Sequence, residues 1–231
     1  SGRICQSKLI KVGKYYRVYT VLATRQGNRI LYSDDFGKTW AVLGKNVAEA
    51  APRGDEAKIE ELPNGNVLLS SRVTGGRFFN IYSYDDKKSA TGSWGKVAMS
   101  GAANHGVTAK NNACNGEVLL VDAKKNGKKV KLLLQSVPCG PQRTNVGIYY
   151  KALETPADYA TPEAIAKDWE GCYRVSDTTS AYSTMVQGKD GCIFFLLEEN
   201  AFRHPETEPD DYYDIRFEKL SIGQITNGQY K

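Results

Sequence analysis

Two histidines, His105 and His204, are all that this chain contains, so a Ser-His-Asp triad or a zinc site is poorly supplied. Its five cysteines, Cys5, Cys114, Cys139, Cys172 and Cys192, show no CxxC or His/Cys ligand spacing. They fit buried free thiols, or one pair plus leftovers. What the chain does offer is carboxylate, phenol and guanidinium. Asp55, Glu56, Glu60 and Glu61 cluster on one short segment, Glu198 and Glu199 adjoin, and there are 14 tyrosines. Carboxylates serve as general acids or bases, a phenol becomes a nucleophile beside such a base, and arginine grips an anionic carboxylate through a two-pronged fork.

These groups need a scaffold. The chain has 231 residues, 41% of them hydrophobic and 25% charged, enough to bury a sizeable core as one large domain or two small ones. No apolar run approaches the roughly 18 residues of a membrane-spanning helix. The net charge of +5 is modest and dispersed, which argues against a nucleic-acid partner. The densest basic stretch, Lys124, Lys125, Lys128, Lys129 and Lys131, surrounds Asn126-Gly127, a type I′ hairpin signal, and reads as a solvated hairpin tip.

Short runs rich in Val, Ile, Leu and Tyr alternate with glycine-marked turns: Tyr15 to Leu22, Val67 to Ser71, Glu117 to Val121, Val130 to Leu134 and Ile193 to Leu197. This is all-β spacing. Gly13, Gly65, Gly116 and Gly191 each precede an apolar strand and read as equivalent turn glycines of four repeats. Trp40, Trp94 and Trp169 mark the far end of the first three. Extra length before Trp169, about 152–168, contains Thr161-Pro162-Glu163-Ala164, a helix-start signal, and predicts a short surface helix. A period near 50 residues, with about four strands each, predicts β-propeller blades. The competing architecture is a β-sandwich.

Ser33-Asp34-Asp35-Phe36-Gly37-Lys38-Thr39-Trp40 matches S-x-D-x-G-x-T-W. Such an Asp box is a self-sufficient hairpin turn: Ser33 and Asp35 bond turn amides, Gly37 permits positive φ, and Trp40 is expected to plug the gap between sheet layers. A degenerate copy runs from Tyr82-Ser83-Tyr84-Asp85 to Trp94.

At this point the sequence resembles the bacterial sialidase (neuraminidase) family. Three further segments carry the likeness: Asp55 to Leu62 with Pro63-Asn64-Gly65 and Leu68 to Arg72; Arg143 to Tyr150; and Ala181-Tyr182-Ser183-Thr184-Met185 with Asp190-Gly191 and Leu196 to Glu199. The resemblance implies a six-bladed propeller of which about four blades are present in 1–231. It implies a retaining exo-sialidase that releases terminal sialic acid from glycoconjugates without metal or cofactor. By resemblance, Tyr182 is the nucleophile, Glu56 its activating base, and Arg72 and Arg143 are two of three arginines that hold the substrate carboxylate. Glu199 (or Glu198, where the register is open) orients an arginine of that triad. A substrate carboxylate repels a carboxylate nucleophile, which explains a tyrosine in its place.

The repeat supports the pairing of Glu56 with Tyr182. Glu56 lies nine residues before Gly65 and Tyr182 nine before Gly191, so they hold equivalent places in two blades. Inner propeller strands point into one mouth. Asp55, Glu60 and Glu61 are the competing carboxylates. Tyr212, Tyr213 and Asp214 are candidates to line the mouth.

The family's first triad arginine and its acid aspartate lie upstream of the matched region, and Arg3-Ile4-Cys5 is not the expected arginine motif. The chain therefore reads as the C-terminal two-thirds of such a propeller. Open sheet faces beside the first and last blades are expected to pair with an N-terminal piece of the same protein or to self-associate. The family implies sialylated glycans as partners and a secreted, periplasmic or cell-surface location. The alternatives are a non-catalytic sialic-acid-binding or scaffold propeller, and an Asp-box propeller with an unrelated extracellular role.

Overall fold

The computed structural model describes residues 3–45, 50–52, 55–200 and 213–231. Four antiparallel sheets follow one another in chain order as four propeller blades. Blade 1 comprises β1 (Cys5–Val12), β2 (Tyr15–Thr24), β3 (Gly27–Ser33) and β4 (Ala41–Val42), with β5 (Ala51–Pro52) paired to β3. Blade 2 comprises β6 (Asp55–Glu61), β7 (Val67–Val73), β8 (Gly75–Asp86) and β9 (Thr91–Trp94). The long β8 also pairs with β10 (Ala98–Ser100) and β11 (Thr108–Ala109). Blade 3 comprises β12 (Val118–Lys125), β13 (Lys128–Pro138), β14 (Val146–Leu153) and β15 (Gly171–Arg174). Blade 4 comprises β16 (Ser180–Gln187), β17 (Ile193–Glu199) and β18 (Asp214–Leu220).

The apolar residues of these strands form three slabs, one between each pair of neighbouring blades. Tyr19, Ile30, Leu43, Ile59, Leu69 and Tyr82 fill the first. Leu68, Phe79, Ile81, Leu133, Val137 and Trp169 fill the second, and Leu132, Leu134, Ile148, Phe195 and Leu197 the third. A polar link crosses each slab. Asn28 Nδ2 donates to Ser71 Oγ at 2.7 Å, Ser70 Oγ donates to Gln135 Oε1 at 2.6 Å, and Ser183 Oγ donates to Ser136 Oγ at 2.9 Å. Buried polar groups this well matched fix the blade register, because a slip leaves each of them unpaired.

The hairpin tip at Asn126-Gly127 has positive φ at both residues, 51° and 79°, and closes the β12–β13 pair between Lys125 and Lys128. This corrects the repeat alignment. Gly13, Gly65 and Gly191 are left-handed turn residues between the first and second strands of their blades, with φ of 57°, 86° and 82°. In blade 3 that place belongs to Gly127. Gly116 instead precedes β12 in a backbone that any residue adopts, and it is small because a Cβ there would lie 1.8 Å from the Ser136 carbonyl oxygen. The extra length of blade 3 lies between its third and fourth strands, residues 154–170, where a 3₁₀ turn (Pro156–Tyr159) precedes α1 (Pro162–Ala166). Thr161 caps α1, accepting from Ala164 N at 3.2 Å.

The three tryptophans differ in role. Trp169 is buried between blades 2 and 3, stacked on Phe79 with centroids 5.9 Å apart. Trp94 donates to the Leu43 carbonyl at 3.2 Å and so ties blade 2 to blade 1. Trp40, expected to plug the sheet layers, is 38% exposed and folds back to donate to the Gly37 carbonyl at 3.0 Å. The turn it covers is held from within. Ser33 Oγ accepts from Gly37 N at 2.8 Å, and Asp35 accepts from Thr39 N at 2.8 Å and from its hydroxyl at 2.6 Å.

The two end blades present apolar side chains to solvent. Ile4, Leu9, Tyr16 and Leu22 do so from blade 1, and Val186, Leu196, Ile215 and Phe217 from blade 4. After blade 4 the chain turns back through α2 (Ile222–Ile225) onto blade 3. There Lys124 and Lys231 exchange two backbone hydrogen bonds, at 2.6 and 2.9 Å, and Tyr230 donates to Glu170 at 2.6 Å.

Candidate active site

The first strands of blades 2 and 4 each carry a bulge where they begin. The β6–β7 register shifts between Asp55 and Lys58, and the β16–β17 register shifts between Ser180 and Ser183. Glu56 and Tyr182 occupy those bulges. A bulge frees an amide from the ladder and re-aims a side chain. Both freed amides find a carboxylate: Glu56 N donates to Asp55 Oδ1 at 2.8 Å, and Tyr182 N donates to Glu198 Oε2 at 3.1 Å. Glu56 takes a positive φ of 34°, a conformation costly for a residue with a Cβ and found where surroundings over-determine it.

The two re-aimed side chains meet. The Tyr182 hydroxyl donates to Glu56 Oε1. Arg72, near the end of β7, donates from one nitrogen to Glu56 Oε2 at 2.6 Å and to the Tyr182 hydroxyl oxygen at 3.3 Å. Phenol, carboxylate and guanidinium thus form a closed triangle. Two of the competing carboxylates are engaged elsewhere, Glu60 with Arg3 and Glu61 with Ser7, while Asp55 stays at the site and pairs with Arg72 at 3.9 Å.

Arg143 comes from the β13–β14 loop, and its guanidinium sits 5.7 Å from the Tyr182 ring centroid. The Arg143 carbonyl accepts from Ser180 N at 3.0 Å, which ties this loop to the strand that carries Tyr182. A second tie runs from Asn145 N to the Thr178 carbonyl at 2.9 Å.

Burial, then the hydrogen bond to Glu56 and its charge, push the Tyr182 phenol up to about 12, while Arg72 pulls the other way. Burial draws the Arg72 guanidinium down, but the hydrogen bond and charge of Glu56 outweigh it and hold the group above its ordinary value. Tyr182 therefore rests as a neutral phenol, with an acceptor already in place for its proton. Two cations flank the ring. This arrangement can deliver a neutral oxygen nucleophile to an electrophilic carbon on an anionic molecule, with Arg72 paired to the Glu56 carboxylate beside it.

Glu199 is buried and accepts from one Arg216 nitrogen through both carboxylate oxygens, at 3.0 Å each. Arg216 also donates to Glu218 at 2.7 Å. Arg216 was not anticipated from sequence; its one signal is a charge alternating with exposed Ile215 and Phe217 along β18. Glu198 touches the Tyr182 strand, and Glu199 holds an arginine. Asp214 stands opposite Glu199 in the β17–β18 ladder, with Tyr213 just before it. Tyr212 and His204 lie outside the described residues. Cys114 sits close enough to Arg143, Arg72 and Glu56 to feel their charges, and burial raises its thiol to about 11.

Tyr182, Ser183, Thr184, Glu198, Asn115 and Lys58 line a cavity of about 250 Å³. A larger one of about 580 Å³ lies at the lysine-rich β12–β13 tip and includes none of the residues named for chemistry. Among the described residues no three His, Cys, Asp or Glu side chains gather as a metal-binding group.

No protein-family model and no curated protein sequence matches this chain. Solved structures do. The intramolecular trans-sialidase of Ruminococcus gnavus, solved with oseltamivir carboxylate, superposes with a TM-score of 0.66 at 21% identity, over 95% of this chain and 43% of its own. A mutant of the NanB sialidase of Streptococcus pneumoniae gives 0.66 at 19% identity, over 98% of this chain and 32% of its own. A GH93 α-L-arabinofuranosidase of Fusarium graminearum, solved with arabinobiose, gives 0.53 at 13% identity, over 97% and 64%. The chain spans less than half the length of these two sialidases, and its four blades have the sialidase-like propeller fold.

Proposed function

We propose that this chain carries the nucleophile side of a retaining exo-sialidase acting on terminal sialic acid of glycoconjugates. The observation that supports this reading is the Tyr182–Glu56–Arg72 triangle, with Arg143 over the ring. Glu56 takes the phenol proton as the Tyr182 oxygen attacks the anomeric carbon. The glycosidic bond breaks, and a sialosyl–tyrosine bond forms. Water then attacks the same carbon and gives up a proton to the group that protonated the leaving oxygen, while the sialosyl–tyrosine bond breaks and Glu56 returns its proton to the tyrosine oxygen. Two inversions give net retention. Neutral Tyr182 escapes the repulsion that the sugar carboxylate would exert on an anionic nucleophile. Arg72 and Arg143 hold that carboxylate, and Arg216 on β18, clamped by Glu199 on β17, adds a further cation at the same end of blade 4. Protonation of the leaving oxygen falls to an acid supplied by other blades. Such glycans are displayed outside the cytoplasm, and the reading places the enzyme there.

A fluorinated sialosyl fluoride tests the assignment, because fluoride leaves without an acid. The expected result is a covalent adduct on Tyr182, located by peptide mass spectrometry and absent from Tyr182→Phe. An adduct elsewhere, or none on the folded chain, rejects Tyr182 as nucleophile. Turnover of a methylumbelliferyl sialoside that is lost in the same variant extends the reading to hydrolysis.

A further inference from the structure

Cys139 directly follows β13, and Cys172 lies on β15, with β14 running between them. Their sulfurs are 3.4 Å apart. The residue between them on β14 is Gly147, where an added Cβ would come within 2.8 Å of Cys172 Sγ and 3.0 Å of Cys139 Sγ. The missing side chain is therefore the space in which two thiols meet across a strand. A disulfide has an S–S distance of about 2.05 Å, so closure asks for a movement of about 1.4 Å. Cys172 is exposed, and Cys139 is half-buried.

The other thiols differ. Cys5 and Cys114 are buried, and burial raises them to about 12 and about 11. The hydrogen bond with Cys172, helped by one from Tyr149 and by the charge of Arg174, holds the Cys139 thiol below the ordinary range against its own burial. Thiolate character of that kind marks the attacking member of a pair.

We propose that Cys139 and Cys172 are a modification site, closed to an intrachain disulfide by exchange with a small-molecule disulfide of the glutathione type. The bond staples the root of the Arg143 loop, residues 139–145, to β15. In the first step the Cys139 thiolate attacks one sulfur of glutathione disulfide, whose S–S bond breaks to release one glutathione thiolate. In the second the Cys172 thiol gives up its proton to solvent and attacks the Cys139 sulfur, and the second glutathione leaves. The protein loses two electrons and two protons, and glutathione disulfide is reduced to two glutathiones.

The reduced chain is incubated with glutathione disulfide, remaining thiols are capped with N-ethylmaleimide under denaturing conditions, and peptides are mapped by mass spectrometry. The expected product joins Cys139 to Cys172 and leaves Cys5, Cys114 and Cys192 capped. Amide exchange in 139–145 slows relative to the reduced chain. Cys172→Ser is expected to stop at a glutathione adduct on Cys139. Capping of both cysteines, or a bond to another cysteine, overturns the site. A Cys139 without adduct in Cys172→Ser overturns its role as attacker, and unchanged exchange in 139–145 overturns the staple.

Discussion

The Tyr182 hydroxyl donates its hydrogen bond to Glu56 across 126 residues of sequence, and each partner stands in the bulge that opens its own strand. Removing either atom of this bond separates nucleophilic from acid–base effects. Tyr182→Phe is expected to lower sialoside turnover by about 10³-fold or more, and Glu56→Gln by about 10²- to 10⁴-fold. Steady-state kinetics beside melting curves check this. Wild-type rates in either variant remove that residue from the mechanism.

The Ser33–Trp40 turn carries an acid-stability signature. Hydrogen bonds from the Thr39 hydroxyl and amide, and from Ser33, lower the Asp35 carboxyl to about 2. An unfolded aspartate titrates near about 3.9. The folded state thus favours the ionised form, and its contribution is complete above the unfolded value and is lost as pH falls toward about 2. Asp35→Asn should melt lower than wild type at neutral pH and lose less melting temperature on acidification. Parallel pH–melting curves for the two proteins would refute this.

The repeat treats Trp40 and Trp169 as equivalents, but their surroundings do not. Trp169 is buried on Phe79 and donates to the Ile165 carbonyl at 2.9 Å. Trp169→Ala should cost about 3–5 kcal/mol. Trp40→Ala removes an exposed ring and one turn hydrogen bond, and should cost about 1 kcal/mol. Urea unfolding of both variants measures the difference, and equal losses would contradict the packing described.

The apolar faces of blades 1 and 4 should drive the chain to associate with itself or with an N-terminal piece of its own protein. Light scattering on the chain alone is expected to show species above the monomer. Replacing Ile215 and Phe217 together with lysine should shift it toward monomer. A monodisperse wild-type monomer would show that these faces tolerate water.

Much of the architecture was legible because propeller strands repeat both composition and length. The nine-residue offset that pairs Glu56 with Gly65 and Tyr182 with Gly191 survives in space because both first strands bulge alike. Blade 3 was misaligned for a physical reason. Gly116 precedes an apolar strand, as the turn glycines do, but its smallness answers a close backbone contact with Ser136 rather than a left-handed turn. The true counterpart, Gly127, sits among lysines with no apolar run directly after it. Trp40 shares a residue type with Trp169 but sits on a turn that curls under its own ring. Arg216 was invisible because nothing local distinguishes it; its meaning comes from Glu199 on the neighbouring strand.

The backbone clasp between Lys124 and Lys231 bears on how blade 4 is held. Residues 222–231 run back past blade 4 to the end of β12, so blade 4 is fastened to blade 3 twice, once through the shared apolar slab and once through this returning segment. The strand that presents Tyr182 to Glu56 is thereby anchored from outside the mouth as well as from within it.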